Sequence, residues 1–270
     1  MDRLRFQFEE RPNGVWPAVY CPNSEARTVS ANAGDYRWYV GGGSLNKAFA
    51  EELAGALRQT SWWDPETGYS TLWGFADLHK LMVTSSHACG GQVSFETPPE
   101  EIGDWLHLKS AAGIAGEKDF AGYEGVIGAV ILSVFEESWR PSSNENNLGM
   151  LYVVGPRGEG SCGPSGGHLS KEDFLRVIEN TAERAVELVV TYNTRQKLTT
   201  ADVVEVIRWP LVSGGVYRHR DVSKVQVATH TIIGMTKAFA NYPHADLRVT
   251  FTWDEGVFKE AYEKLVLSQA

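Results

Sequence analysis

The chain has 270 residues, 43% of them hydrophobic, and a formal net charge of −9. That composition supports a large buried core in one or two domains, while the acidic balance and the absence of a Lys/Arg run argue against a direct nucleic-acid-binding patch. The longest apolar run, residues 126–135, is too short to span a bilayer, which takes ~20 residues.

The cysteine pattern predicts a reducing compartment. There are three cysteines, an odd number without paired spacing, which argues against a disulfide framework. His87 and Cys89 form one pair of metal-ligating types, but no second pair follows at zinc spacing, so no metal site is predicted. The first residues are charged and lack the apolar core of a secretion signal. We therefore expect a cytoplasmic protein with no membrane partner.

In chain order, the hydrophobic pattern predicts strands and helices in alternation. Residues 4–8 and 27–31 are typical of the first two strands. Apolar residues recur at every fourth position from Leu45, which predicts a helix directly after a run of glycines. A further strand is predicted at 91–97. Residues 98–147 hold an adjacent pair of prolines, many glycines and an isolated apolar run, and are interpreted as an insertion that covers one edge of the core.

The second half of the chain alternates more regularly. The pattern predicts strands at 150–154, 203–207 and 247–253, and helices at 170–191, 225–240 and 256–267. Ser170, with Asp173 three residues later, is close to a capping box and marks a helix start. This alternation predicts a single α/β domain over residues 1–270, with three α/β/α layers and a mixed, mostly parallel sheet between helices on both faces.

Two glycine-rich loops stand before predicted helices. One is VGGGSL at residues 40–45, and the other is SGGVY at residues 213–217. Glycines allow a ligand to approach the backbone closely, and the positive end of a helix dipole favours an anion. In open α/β sheets, ligands bind at the carboxyl ends of the strands. Two such loops together suit a diphosphate.

The ordered motifs resemble those of the macrodomain family, whose members bind ADP-ribose. Asn32-Ala33 precedes the glycine run at 41–43 with the spacing of the family's Asn-Ala-Ala-Asn motif. Residues 153–156 give Val-Val-Gly-Pro, residues 210–217 give Pro-Leu-Val-Ser-Gly-Gly-Val-Tyr, and a final strand–helix pair follows. The resemblance covers most of the chain outside residues 98–147.

The resemblance implies a set of site residues. The implied ligand-binding residues are Asn23, Gly41, Gly42, Gly43, Ser44, Leu45, Asn46, Ser213, Gly214, Gly215, Val216, Tyr217 and Trp253. On the last predicted strand, one of Phe251 and Trp253 is expected in the core and the other under an adenine, and Trp253 is taken as the platform. For catalysis, Asp35 is the candidate carboxylate that orients water at the ribose, Asn32 fixes its geometry, and Glu52 or Glu51 is the fallback base.

Three departures from the family pattern bear on catalysis. The second Asn of the motif falls at Asp35, and the Asp that many hydrolytic members carry after the glycine run falls at Leu45. The catalytic Glu of poly(ADP-ribose) glycohydrolase-type members would fall at Leu53. On a helix, one residue is a rotation of about 100°, so Glu52 does not simply take that place. Asn23 is the nearest polar candidate for the adenine.

The function classes therefore stay open. One is an ADP-ribosyl hydrolase of the glycohydrolase type, which we favour. The other is a non-catalytic reader or scavenger of ADP-ribose attached to protein, nucleic acid or a metabolite. A third is a Rossmann-type oxidoreductase that uses Gly158-x-Gly160-x-x-Gly163, but the helix begins too far after these glycines for that motif. No cofactor is expected, and the chain is expected to be a monomer.

Overall fold

A computed structural model describes ten ranges of the chain, which contain six strands and three helices. The described residues are 5–9, 25–33, 130–134, 146–153, 155–156, 158, 169–196, 203–215, 217–252 and 255–268. The strands are β1 (Phe6–Phe8), β2 (Thr28–Ala33), β3 (Val130–Val134), β4 (Asn147–Val153), β5 (Val206–Trp209) and β6 (Arg248–Phe251). The helices are α1 (Lys171–Gln196), α2 (Lys224–Asn241) and α3 (Glu255–Ser268).

The six strands form one mixed sheet in the order β1-β6-β5-β2-β4-β3. Every neighbouring pair is parallel except β3 with β4, which is antiparallel. Parallel strands require crossover connections. Helix α1 connects β4 to β5, which lie on either side of β2, and α2 connects β5 to its neighbour β6. The predicted α/β class with a mixed, mostly parallel sheet is confirmed.

One face of the sheet is apolar and carries the three helices. Alternate residues of adjacent strands share this face, such as Val29, Ile207 and Val249 in one register row. Phe251 is fully buried, as predicted from the sequence, and stacks on Phe258 of α3 with ring centroids 4.0 Å apart. Burial of these apolar side chains stabilises the described part of the fold.

The helix layer is fixed by caps and by one close crossing. Ser170 Oγ accepts a hydrogen bond from the Asp173 N–H at 3.0 Å, so α1 begins where the sequence predicted. Gly234 of α2 lies directly against the backbone of Glu179 in α1, and a Cβ there would overlap the Glu179 carbonyl. The absence of a side chain at Gly234 lets the two helices pack together at this point.

The opposite face of the sheet is polar. Ser30, Arg208, Thr250 and Gln7 occupy one register row across β2, β5, β6 and β1. Ser30, Arg208 and Thr250 are all buried. Arg208 reaches past Thr250 to Glu9, with 2.8 Å between Nη2 and Oε2, and the arginine side chain is only 4% exposed.

The segment interpreted as an insertion contributes to the main sheet. Residues 130–134 form β3, an edge strand that pairs with β4, and the sequence analysis did not predict this strand. An isolated apolar run gives no clear period, which explains why it was missed. The predicted helix from Leu45 and the predicted strand at 91–97 lie outside the described residues.

Candidate ligand site at the carboxyl edge of the sheet

Three adjacent parallel strands bring the predicted motifs to one edge of the sheet. β2 lies between β5 and β4, so the carboxyl ends of all three strands meet there. Asn32 and Ala33, the last residues of β2, pair in register with Tyr152 and Val153 at the end of β4. The family-like Asn-Ala pair and the segments that follow β4 and β5 are therefore neighbours in space.

The segment after β4 contacts the loop after β5 directly. A Cβ on Gly155 would overlap the Ser213 hydroxyl and lie 2.7 Å from Val212 Cγ1. The Gly158 N–H donates to the Tyr217 carbonyl at 2.7 Å, and a Cβ on Gly158 would overlap the backbone of His219. Both glycines are needed for this close approach. Gly158 thus has a packing role here, and α1 begins only at Lys171, as the argument against a dinucleotide fingerprint predicted.

The two glycines of the loop after β5 have different environments. Ser213 has a φ of 57°, a region that residues with a side chain seldom occupy. The Gly214 N–H donates to the Leu211 carbonyl at 3.1 Å, and a Cβ on Gly214 would overlap the Leu211 side chain. Gly215 is exposed, and among the described residues no heavy atom lies within 4 Å of a Cβ built there. Gly214 therefore shapes the loop, while Gly215 borders open space.

The loop ends in a helix that caps itself. Ser223 is the N-cap of α2, and its hydroxyl accepts from the Gln226 N–H at 3.1 Å. The Gln226 side chain accepts in turn from the Ser223 N–H at 2.9 Å, which completes a capping box. One N–H of the first turn is thus already bonded within the helix. The Gln226 N–H is therefore not available to an anion bound at this loop.

A buried histidine fixes the far side of the loop. His219 Nδ1 accepts a hydrogen bond from the Asp221 N–H at 3.1 Å, and the His219 ring lies 5.9 Å from the ring of Phe174 in α1. The Val222 N–H donates to the His219 carbonyl at 3.0 Å. His219, Gly155 and Gly158 hold the loop, and the sequence analysis gave none of them this role. The Val-Gly-Pro motif after β4 was the available signal for Gly155.

Many of the predicted site residues lie outside the described residues. They are Asn23, Asp35, Gly41, Gly42, Gly43, Ser44, Leu45, Asn46, Glu51, Glu52, Val216 and Trp253. Asn32 is described by its position in β2, and Ser213, Gly214, Gly215 and Tyr217 by their contacts. The loop after β5 is therefore the part of the predicted site whose geometry is defined.

Two other kinds of site are absent from the described ranges. In these ranges no three His, Cys, Asp or Glu side chains are grouped so as to hold a metal ion. The helices of the same part of the chain include none that is long and apolar enough to cross a membrane.

Among known proteins, the matches by sequence and the matches by structure are different proteins. No family model matches the sequence. The chain is 28% identical over 266 residues to the DNA/RNA-binding protein ALBA4 of Plasmodium falciparum (isolate 3D7), and 28% identical over 260 residues to ALBA4 of Plasmodium yoelii yoelii. Each match covers 94% of this chain, and the chain spans 64% of the length of these curated relatives.

The structural neighbours are macrodomains. A mutant Oceanobacillus iheyensis macrodomain with ADPR matches at 14% identity and a TM-score of 0.45, covering 91% of this chain and 89% of the other. The Trypanosoma brucei macrodomain in complex with ADP-ribose matches at 14% identity and a TM-score of 0.43, covering 90% of this chain and 64% of the other. The family named from the sequence motifs thus recurs among the structural matches. At these scores, the similarity identifies neither a ligand nor a reaction for this chain.

Proposed function

We propose that this chain binds ADP-ribose, or an ADP-ribosyl conjugate, at the carboxyl edge of the sheet. The observation that carries the proposal is the direct contact between the segment after β4 and the loop after β5, beside the end of β2. The class of ligand comes from the motifs: Asn32-Ala33, Val-Val-Gly-Pro and the Ser213 loop occur in the order that the macrodomain family has. Ligands of α/β sheets bind at this edge.

Gly215 is the loop residue that faces the proposed ligand. It is exposed, and no atom of the described residues fills the space that a side chain would take. Backbone N–H groups that bond a phosphate form charge-assisted hydrogen bonds worth roughly 1.5–3 kcal/mol each. A diphosphate held mainly by backbone groups suits a chain with a net charge of −9, and its binding weakens only modestly with salt.

Calorimetry with ADP-ribose, NAD and AMP tests the proposed ligand. We expect ADP-ribose to bind more tightly than AMP, because AMP lacks the diphosphate and the second ribose. Tight binding of NAD without any response to ADP-ribose would favour the oxidoreductase alternative and remove the proposal.

A graded series at Gly215 tests the proposed place of the ligand. Gly215→Glu puts bulk and a negative charge into the open space, and we expect it to abolish ADP-ribose binding. Gly215→Gln separates bulk from charge, and Gly215→Ala is the small control that should retain most of the affinity. All three variants should fold, because a Cβ at residue 215 meets no heavy atom of the part of the chain that the structure describes. Gly214→Glu is a poor test, since its Cβ would overlap Leu211. Full affinity in Gly215→Glu removes this loop from the site.

The hydrolytic step is a separate part of the proposal. Asp35 is the proposed carboxylate, Asn32 positions it, and Glu51 or Glu52 is the alternative base. General-base catalysis contributes about 10²–10⁴-fold, so Asp35→Ala should lower the release of ADP-ribose from an ADP-ribosylated protein by about that factor with little loss of affinity. Binding without release by the wild-type protein would identify a reader. A full rate in Asp35→Ala would move the chemistry to the two glutamates.

Nucleic-acid binding is the second candidate, and the sequence similarity to ALBA4 over 94% of the chain is the observation that favours it. Fluorescence anisotropy with labelled single-stranded RNA and duplex DNA of about 20 nucleotides tests it, because phosphate contacts make such binding steeply salt-dependent. Binding that falls with salt and that ADP-ribose does not displace would place the nucleic acid on a surface other than the proposed site. Displacement by ADP-ribose would mean that both share it.

A further inference from the structure

A cavity of about 610 Å³ lies against the polar face of the sheet. Its wall includes the first residues of β2, β5 and β6, namely Thr28, Val206 and Arg248, whereas the proposed ADP-ribose site is at the carboxyl ends of the strands. A volume of this size is within the range of about 300–1,000 Å³ that is typical of small-molecule sites.

One pair of charges in this cavity is already neutralised. Arg208 binds Glu9 through both guanidinium Nη atoms, at 2.8 Å and 3.5 Å, and the arginine side chain is 4% exposed. A buried ion pair is costly to desolvate, and the two contacts between the Nη atoms and Glu9 offset part of that cost. It leaves the other two charged residues of the cavity wall, Arg248 and Glu25, to determine which ligand fits.

Arg248 and Glu25 carry opposite charges but do not pair with each other. In the part of the chain that the structure describes, Arg248 bonds through its main-chain N–H to Glu205 O, and Glu25 through its carbonyl to Asn146 Nδ2. Neither side chain has a hydrogen bond or an ion pair within those residues. Arg248 is half-buried, and a partly desolvated guanidinium gains from a bidentate anionic partner.

We propose that this cavity binds a zwitterionic small molecule of the free α-amino acid class. The ligand's carboxylate pairs with the Arg248 guanidinium, whose planar fork matches carboxylate geometry, and its ammonium group pairs with Glu25. Val206, which lies two residues before Arg208 and therefore on the same face, offers apolar surface for the ligand's side chain. The Gln7 amide, which accepts from the Thr250 hydroxyl at 3.3 Å, lies on the same wall and can meet polar groups of the ligand.

The test begins with the twenty common L-amino acids in a thermal-shift screen on the full chain, followed by calorimetry on those that raise the melting temperature. We expect at least one amino acid to bind, and its N-acetyl and carboxamide derivatives to bind at least about tenfold more weakly, because each derivative removes one charge. Arg248→Gln and Glu25→Gln should each cause a similar loss. Arg176→Gln, which removes an exposed arginine of α1 that pairs with Asp173, is the matched control and should bind as wild type does.

Three results would overturn the proposal. They are a screen in which no amino acid raises the melting temperature, N-acetyl and carboxamide derivatives that bind as well as the parent, and wild-type affinity in both cavity variants. Glu25 is exposed, so Glu25→Gln should fold even if Arg248→Gln does not. Saturating ADP-ribose should leave the amino-acid affinity unchanged, since competition would contradict a separate cavity.

Discussion

The two faces of the central sheet bury different kinds of side chain, apolar on one face and polar on the other. On one face, the Phe251 ring stacks on Phe6 of β1 and on Phe258 of α3. On the other, Arg208, Thr250 and Ser30 are also buried but are polar. Strands alternate their side chains between the two faces, so the same four strands supply both environments. The apolar face determines stability, whereas the polar face and the carboxyl edge hold the groups that can recognise a ligand.

The largest effect is expected from the apolar face. Phe251→Ala removes a fully buried ring that stacks on Phe258 at 4.0 Å and on Phe6 at 5.8 Å. Loss of a large core side chain and the cavity that it leaves costs about 3–5 kcal/mol. Chemical denaturation should show this loss, and Phe251→Leu should cost clearly less. A change below about 1 kcal/mol for Phe251→Ala would contradict the assignment of this face as the core.

The next effect should come from the polar face. Arg208→Ala leaves the Glu9 carboxylate without its arginine. Breaking a buried ion pair lowers the free energy of unfolding by about 3–5 kcal/mol. We expect this pair near the lower end of that range, because the Glu9 side chain is 26% exposed. The double variant Arg208→Met with Glu9→Gln should recover most of that stability, since it removes both charges. If the double variant were as unstable as the single one, the cost would lie in packing and not in charge.

A smaller effect should separate the helix layer from the ligand site. Ser223→Ala removes the N-cap of α2 and should cost about 1 kcal/mol of unfolding free energy, whereas Ser223→Asp should retain most of it. ADP-ribose affinity should not change, because this cap bonds Gln226 within the helix. A matching loss of affinity in Ser223→Ala would bring the helix start into the binding site.

The smallest expected effect concerns pH. Burial in α1, and next the negative charge of Glu183, raise the pKa of Glu187 above its ordinary value of 4.5. The folded state therefore binds a proton at Glu187 more tightly than the unfolded state does. The ionised Glu187 carboxylate destabilises the fold at neutral pH, and this effect fades as the pH falls through the raised pKa toward 4.5. Glu187→Gln should be slightly more stable than wild type at pH 7, and the gap should shrink on acidification. Melting temperatures across pH 4–7 measure it, and a gap that widens would contradict the sign.

Local signals predicted the second half of the fold well. The Ser170–Asp173 spacing located the start of α1, and the alternation of residues 247–253 located β6 with Phe251 in the core. The edge strand β3 could not be predicted in this way, because its apolar run has no clear period.

The site was harder to predict because neighbouring glycines have different roles. The sequence does not distinguish Gly214 from Gly215. In the structure, the Leu211 side chain leaves no room for a side chain at Gly214, whereas no atom of the described residues occupies that space at Gly215. Gly158 matched a dinucleotide fingerprint by spacing, but it packs on His219 instead. Residue spacing does not distinguish a glycine that admits a ligand from one that admits another part of the chain.

Backbone amide hydrogen exchange with and without saturating ADP-ribose tests the central claim, that the ligand binds at the carboxyl edge of the sheet. We predict slower exchange at the end of β2 (residues 31–33), after β4 (155–158) and in the loop at 213–217. We predict no change at the amino ends of the strands, residues 25–28 and 203–206. Protection at those amino ends, or no protection at residues 213–217 while ADP-ribose is bound, would contradict the account.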